Sequence, residues 1–319
     1  MKKKIQILST LGPSSLNKDF LRFAEHKVSL LRLNLSHLSL SKLIKNIKFL
    51  KKNTNIPICI DTEGAQIRTK TNKKIYLKKN KFIKLYKKQF FYFYPEDVYS
   101  KLKINDMLDV GFNGLKLLIK SQSKDHFNCI VVNAGLLENN KGVHIVNRKI
   151  YLNYITQKDK KAIEIGKKYK INHYALSFTN SSEDIKKFDK LLPNKNKIFK
   201  IETSRAIKNI EKIIKAGDNF LIDRGDLSKD IKIEKLPILQ RKIIKLGNKF
   251  NKTVYVATNF LENMINLPYP NKGEINDIYS SLEMGAKGLV LAAETAIGKY
   301  PKDCVGLLKK IITEYKKND

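Results

Sequence analysis

Ile198-Phe199-Lys200-Ile201-Glu202 and Phe220-Leu221-Ile222-Asp223-Arg224-Gly225-Asp226 are the stretches that decide the fold. Each is a short apolar run ending in charged residues, and between them Ala206–Lys215 repeats its apolar residues at helical spacing. A buried strand, a helix and a second buried strand make one unit of a parallel sheet. The same unit recurs along the chain. Strands are expected at Ile5–Ser9, Ser29–Leu33, Pro57–Ile60, His173–Ser177, Ile198–Ile201, Phe220–Asp223, Val254–Ala257 and Gly288–Leu291. Helical patterns cover Asn17–His26, Leu40–Lys52, Lys158–Lys170, Ser182–Leu192, Ala206–Lys215, Ile238–Asn251, Ile275–Met284 and Cys304–Lys316. Eight strands alternating with eight helices predict an α/β fold, a (β/α)8 TIM barrel. The competing Rossmann arrangement lacks a GxGxxG turn after any of these strands.

One connection is too long for a barrel turn. After Asp61-Thr62-Glu63-Gly64 no helical pattern returns until about Gln157. The interval alternates as short strands at Lys74–Leu77, Phe82–Leu85, Met107–Val110, Leu115–Lys120 and Cys129–Ala134, with Gly, Asn and Asp at the joints. Residues 1–69 and 151–319 are therefore expected to form the barrel, and 70–150 a small β-rich domain inserted after the third strand. Such an insertion suits a lid.

Composition sets the limits. The chain has 319 residues, and 63 Lys+Arg against 30 Asp+Glu give a net charge of +33. At 42% hydrophobic the chain is globular rather than disordered. No apolar run approaches the roughly 20 residues of a membrane span. The basic start Met1-Lys2-Lys3-Lys4 meets Gly12-Pro13 before any signal-peptide core develops, so a cytoplasmic protein is expected. The cysteines, Cys59, Cys129 and Cys304, are far apart, and the histidines show no HxH or HxxxH spacing, which excludes a disulfide framework or a zinc site. Only seven of the basic residues are arginine: Arg22, Arg32, Arg68, Arg148, Arg205, Arg224 and Arg241. The lysines are spread among Asn and Ile, residues with A/T-rich codons. Neither a specific nucleic-acid partner nor a membrane is expected from this charge.

Polar residues gather where the strands end. The second strand runs into Arg32-Leu33-Asn34-Leu35-Ser36-His37 and the third into Asp61-Thr62-Glu63-Gly64-Ala65-Gln66-Ile67-Arg68. Lys200 and Glu202 close the fifth, Asp226 follows the sixth, and Thr258 the seventh. Strand alternation turns Lys200 and Glu202 the same way. Carboxylates of Glu202 and Asp226 from neighbouring strands can share a hard cation, and oxygen-only ligation suits Mg²⁺. Lysine and arginine around it favour a phosphorylated or carboxylated substrate. Each residue also has a structural reading. Arg224 can pair with Asp226, Glu202 with Lys200, Thr258 and Ser36 can satisfy backbone groups, and Asp61 can cap a turn.

The ordered strings Leu8–Ser15, Arg32–His37, Ala175–Phe178, Lys200–Glu202, Arg224–Leu227, Ala257-Thr258, Leu261–Met264 and Glu294–Pro301 carry a resemblance. Over nearly its full length the chain resembles pyruvate kinase, and Pro95–Val98 and Lys141–Val143 look like that family's inserted B domain. The resemblance implies transfer of the phosphoryl group of phosphoenolpyruvate to ADP, with Glu202 and Asp226 holding Mg²⁺ or Mn²⁺. It implies that Lys200 neutralises charge on the group in flight and that Arg32 contacts it. Gly225 and Asp226 amides would receive the substrate carboxylate, and Thr258 would help to route the proton. Asn34, Ser36, Asp61 and Thr62 would hold K⁺, and Arg68, His37 and Lys141 would contact ADP or ATP.

The chain departs from the family pattern at several places. Gln66 stands where a carboxylate linked to K⁺ dependence is usual, and Asp223 where a small alanine precedes Arg-Gly-Asp. Thr203, Ala292-Ala293 and Asn271-Lys272 also differ. The family continues into a C-terminal domain with a sugar-phosphate site, whereas this chain stops at Asp319. The expectation is a minimal pyruvate kinase without that allostery, possible as a homodimer through the barrel. The rivals are a divergent barrel acting on another phosphorylated acid, and a non-catalytic paralogue.

Overall fold

The computed structural model describes residues 5–318. The chain opens with strand β1 (Gln6–Thr10), helix α1 (Lys18–Ala24), β2 (Leu30–Asn34), α2 (Leu40–Asn53) and β3 (Ile58–Asp61). The helices start where short polar side chains cap them. Asn17 accepts the Phe20 amide at the head of α1, and Ser39 the Lys42 amide at the head of α2. Helix α2 then buries Leu43, Asn46, Ile47 and Leu50, one face at helical spacing.

The interval between β3 and α3 follows, with more strands than the sequence suggested. It holds β4 (Ile67–Thr71), β5 (Ile75–Leu77), β6 (Phe82–Tyr86), β7 (Phe91–Tyr94), β8 (Met107–Val110), β9 (Lys116–Gln122), β10 (His126–Asn133), β11 (Gly135–Leu137) and β12 (Gly142–Ile145). Seven of these close into a small barrel in the order β10-β6-β7-β4-β12-β8-β9, while β5 and β11 pair separately. Its core contains Ile67, Leu85, Phe93, Leu108, Leu117, Phe127 and Val143. Strand β4 pairs with β7 and β12, so Ile67–Thr71 lie in this unit. The chain accordingly divides into Met1–Gly64 with Gln157–Asp319, and Ala65–Thr156. Arg68 is thus a residue of the small barrel, not of the third large-barrel strand where the sequence register had put it.

The first unit resumes with α3 (Gln157–Lys168), β13 (His173–Leu176), α4 (Ser182–Leu191), β14 (Asn196–Ile201), α5 (Ser204–Lys208), α6 (Ile210–Ala216), β15 (Asn219–Asp223) and α7 (Arg224–Asp230). It ends with α8 (Leu236–Lys249), β16 (Thr253–Ala257), α9 (Lys272–Glu283), β17 (Gly288–Leu291), α10 (Ala293–Ala296) and α11 (Pro301–Asn318). One expected helix, Ala206–Lys215, is broken between α5 and α6. Asn209 leaves helical geometry there (φ −102°, ψ 9°) and its side-chain amide donates to the Asn180 carbonyl at 2.9 Å.

Eight parallel strands close in the order β1-β17-β16-β15-β14-β13-β3-β2. Every one of them contributes to an inner layer of Leu8, Leu30, Cys59, Ala175, Ile198, Leu221, Tyr255, Ala257 and Val290. This packed layer is the floor on which the carboxyl-end residues stand. No helix among the described residues is long and apolar enough to cross a membrane.

Candidate active site

Side chains of a strand alternate, so the residue two beyond each inner-layer position faces inward one storey higher. Beyond Leu30, Cys59, Ala175, Ile198 and Leu221 stand Arg32, Asp61, Ser177, Lys200 and Asp223. One apolar ring thereby dictates a charged ring above it. All five of these residues are buried, as is Glu202 immediately after β14.

Lys200 is the centre of that ring. Its Nζ lies 2.8 Å from a Glu202 oxygen, 3.3 Å from Asp223 and 3.6 Å from Asp61, and it donates to the Ser177 hydroxyl at 3.2 Å. Burial alone would pull the ammonium's pKa down, and the carboxylates of Asp61, Glu202 and Asp223 overcome it, holding the group charged. Arg32 is treated alike: burial opposes its charge, while Asp61 at 2.8 Å and the more distant Asp223 sustain it. Two of its nitrogens, Nε and Nη1, are buried without a hydrogen-bond partner. Orphaned donors on a buried guanidinium are costly, and an anion's oxygens would satisfy them.

The carboxylates outnumber these buried cations. One oxygen from each of Glu202, Asp223 and Asp226 lies within 4.8 Å of the others. Burial pushes the Glu202 carboxyl up to about 8; Lys200 resists the rise, and the charges of Asp223 and Asp226 add to it. An oxygen-only set crowded with like charge fits a hard divalent cation.

The expected K⁺ donors lie on the adjacent strand ends. Asn34 Oδ1 accepts the Ser36 amide at 2.9 Å, Asp61 is paired with Arg32, and Thr62 Oγ1 accepts the Ser177 amide at 2.9 Å. Asp61 does not cap a turn. His37 is exposed on the loop after β2. Lys158 Nζ donates to the Leu35 carbonyl at 2.5 Å and to Glu63 at 2.9 Å.

Thr258 sits just past β16 in the left-handed region (φ 71°), which is strained for a β-branched residue. Its hydroxyl accepts the Gly225 amide at 2.9 Å, and Asp223 Oδ1 accepts the Asp226 amide at 3.5 Å. Both amides expected to meet a substrate carboxylate are thus engaged by side chains. Arg224 pairs with Asp277 at 2.7 and 2.8 Å and donates to the Thr258 carbonyl, so its planar fork braces the strained loop. The Arg224–Asp226 pair considered from the sequence does not form; Asp226 meets Lys229 at 2.7 Å.

Arg68 and Lys141 belong to the second unit, where Arg68 is cross-strand from Gly142 and Lys141 Nζ lies 3.4 Å from Glu138. Gln66, beside Gly142, is in that unit as well.

Three contributors escaped the sequence reading. Asp277 holds Arg224. Ser177 touches both Lys200 and Asp61, a role that strand alternation from Ala175 implies. Asp159, fully buried, accepts the Glu63 amide at 2.8 Å and the Gly64 amide at 3.2 Å. Its signal was an aspartate on the apolar stripe of α3, in step with Ala162, Ile163 and Gly166. Gly64 itself has φ +67°, and a Cβ there would come within 2.7 Å of Ser177 Cβ, so no other residue fits this turn.

Comparison with known proteins agrees with this geometry. The family model described as pyruvate kinase, barrel domain, matches residues 2–305. The chain is 31% identical over 98% of its length to plastidial pyruvate kinase 2 of Arabidopsis thaliana, spanning 57% of that protein. It is 31% identical over 99% of its length to a pyruvate kinase of Thermotoga maritima, spanning 72% of it. With a pyruvate kinase of Methanocaldococcus jannaschii it shares 33% identity over 98% of its length, and 69% of that protein is spanned. A charged ring of this kind on an eight-stranded barrel, in a sequence matched almost end to end, leaves one assignment: the chain belongs to the pyruvate kinase family.

Proposed function

We propose that this chain transfers the phosphoryl group of phosphoenolpyruvate to ADP, giving pyruvate and ATP. The observation that carries the reading is the buried pair Arg32 and Lys200 set among Asp61, Glu202, Asp223 and Asp226 on one barrel rim. Glu202 and Asp226 would hold Mg²⁺ or Mn²⁺, which when bound supplies Lewis-acid charge to the enolate and phosphoryl oxygens. Arg32 offers its unpaired Nε and Nη1 to the phosphoryl group, and Lys200 follows that group's charge as it leaves the enolate oxygen for the ADP oxygen. The substrate carboxylate would replace Thr258 and Asp223 on the Gly225 and Asp226 amides. Thr258 would then be free to help bring a proton to the enolate carbon. Arg68, Lys141 and His37 are the proposed nucleotide contacts. A cytoplasmic setting suits the three buried free thiols.

Pyruvate formation from phosphoenolpyruvate, ADP and Mg²⁺ by the purified chain tests the reading; folded protein that binds the cation and forms no pyruvate overturns it. Asn34, Ser36, Asp61 and Thr62 are the proposed K⁺ contacts. The Lys158 ammonium already brings positive charge to the Leu35 carbonyl beside them. Turnover is therefore expected to continue at a comparable rate when K⁺ is replaced by an inert organic cation, and a collapse of the rate would contradict this.

Cation binding is expected to depend on pH through Glu202. Burial and the charges of Asp223 and Asp226 push its carboxyl up to about 8 against the pull of Lys200, so a proton competes with the cation below that value. Affinity should rise by up to about tenfold per pH unit from mildly acidic solution towards that value, then level off. Mn²⁺ titrations across this range read the slope, and a flat profile contradicts the assignment.

A further inference from the structure

Asp223 stands at the end of β15, where the resemblance leads one to expect a small alanine, and its position two residues beyond Leu221 turns it into the barrel mouth. Buried there, a carboxylate needs a partner of opposite charge. The partners it has are distant. Its Oδ2 lies 3.3 Å from Lys200 Nζ, and its Oδ1 accepts the Asp226 amide at 3.5 Å. Charge-assisted bonds normally close to about 2.7–2.9 Å. The neighbouring carboxylates do reach that range: Asp61 is 2.8 Å from Arg32 and Glu202 is 2.8 Å from Lys200. Asp223 is therefore the most loosely held of the three buried acids in the ring.

It also faces the other carboxylates. Oxygens of Glu202, Asp223 and Asp226 lie within 4.8 Å of one another. Oxygens on one Mg²⁺ at about 2.1 Å stand about 3.0 Å apart when adjacent and about 4.2 Å when opposite, so side-chain rotations that draw these oxygens together by about 1–2 Å bring all three into range. Glu202 is only 1% exposed, with Oε1 2.8 Å from Lys200 Nζ and Oε2 accepting the Phe178 amide. An ion placed between these groups would answer the excess of negative charge left by four carboxylates around Lys200 and Arg32.

We infer that Asp223 is a third carboxylate ligand of the divalent-cation site, enabling this chain to bind the cation before any substrate oxygen is present. The inference rests on the proposed function for the identity of the site. The same charge stands beside the amides proposed for the substrate carboxylate, so it strengthens cation binding and opposes the anionic substrate.

The test is a Mn²⁺ titration of the purified full chain without substrate, read by calorimetry or by water-proton relaxation. Asp223→Asn keeps the side chain's size and an acceptor for the Asp226 amide but removes the charge; Asp223→Glu keeps the charge. Asp223→Asn is expected to weaken Mn²⁺ binding at least tenfold, with Asp223→Glu restoring much of the affinity. At saturating Mn²⁺, Asp223→Asn should also lower the KM for phosphoenolpyruvate. Equal Mn²⁺ affinity in wild type and Asp223→Asn, or no Mn²⁺ binding by the wild type, overturns the inference and leaves Asp223 as a counter-ion of Lys200. Melting curves in EDTA check that the variants fold. Pyruvate formation separates the two readings. A wild type that loses Mn²⁺ affinity on Asp223→Asn but never makes pyruvate keeps the cation ligand and sinks the proposed reaction. Turnover with unchanged Mn²⁺ affinity does the reverse.

Discussion

Lys200→Met is expected to lower kcat for pyruvate formation by about 10²–10³-fold, the cost of removing one preorganised charge from a transition state. The lysine is 4% exposed and is aimed by Asp61, Glu202, Asp223 and Ser177, so it pays little reorganisation when charge develops in front of it. Methionine fills a similar volume and removes only the ammonium. Because the proposed contact is strongest while the phosphoryl group is in flight, kcat and kcat/KM should fall together while KM moves little. Steady-state kinetics with varied phosphoenolpyruvate measures this. A variant retaining more than about a tenth of wild-type kcat would show that the charge is not used in the chemical step. Removal of the ammonium also leaves Asp61, Glu202 and Asp223 facing one another, so the variant should gain more thermal stability from Mg²⁺ than the wild type does.

Asp159→Ala is expected to cost about 2–6 kcal/mol of stability, since it strips the acceptor from two buried amides at about 1–3 kcal/mol each. The amides are those of Glu63 and Gly64, and no exposure at Asp159 lets water replace the carboxylate. Asp159→Asn, which keeps one acceptor oxygen, should lose about half as much. Urea unfolding followed by circular dichroism reads both. A midpoint unchanged in the alanine variant would mean that the turn finds other acceptors. The same turn follows Asp61 and Thr62 directly, so the destabilised variant should also bind substrate less well.

The large barrel was legible because its signal is local. Each strand is a short apolar run, each helix an apolar stripe, and the β3-to-α3 interval lacks the helical stripe. Eight strands appear within a residue or two of their expected places, including Phe220–Asp223, which differs from β15 by one residue. The small barrel was read less completely. Strands at Ile67–Thr71, Phe91–Tyr94, Gly135–Leu137 and Gly142–Ile145 were missed. Ile-Arg-Thr-Lys-Thr and Gly-Val-His-Ile bury only alternate residues, and their stability comes from antiparallel neighbours distant in sequence.

The site divides along the same line. Strand position gathered Arg32, Asp61, Lys200, Glu202 and Asp223 at one end of the barrel, and alternation turned Lys200 and Glu202 the same way. The types of residue in that ring were enough to name a hard cation and an anionic substrate. Tertiary structure decided which charge meets which. It gave Arg224 to Asp277 instead of Asp226, set Asp159 beneath the Gly64 turn, and left Asp223 loosely held beside Glu202 and Asp226. The longest of these pairings join elements tens of residues apart, 53 for Arg224 with Asp277 and 95 for Gly64 with Asp159. Their energies change steeply over a fraction of an ångström, a scale on which the residue order carries no information.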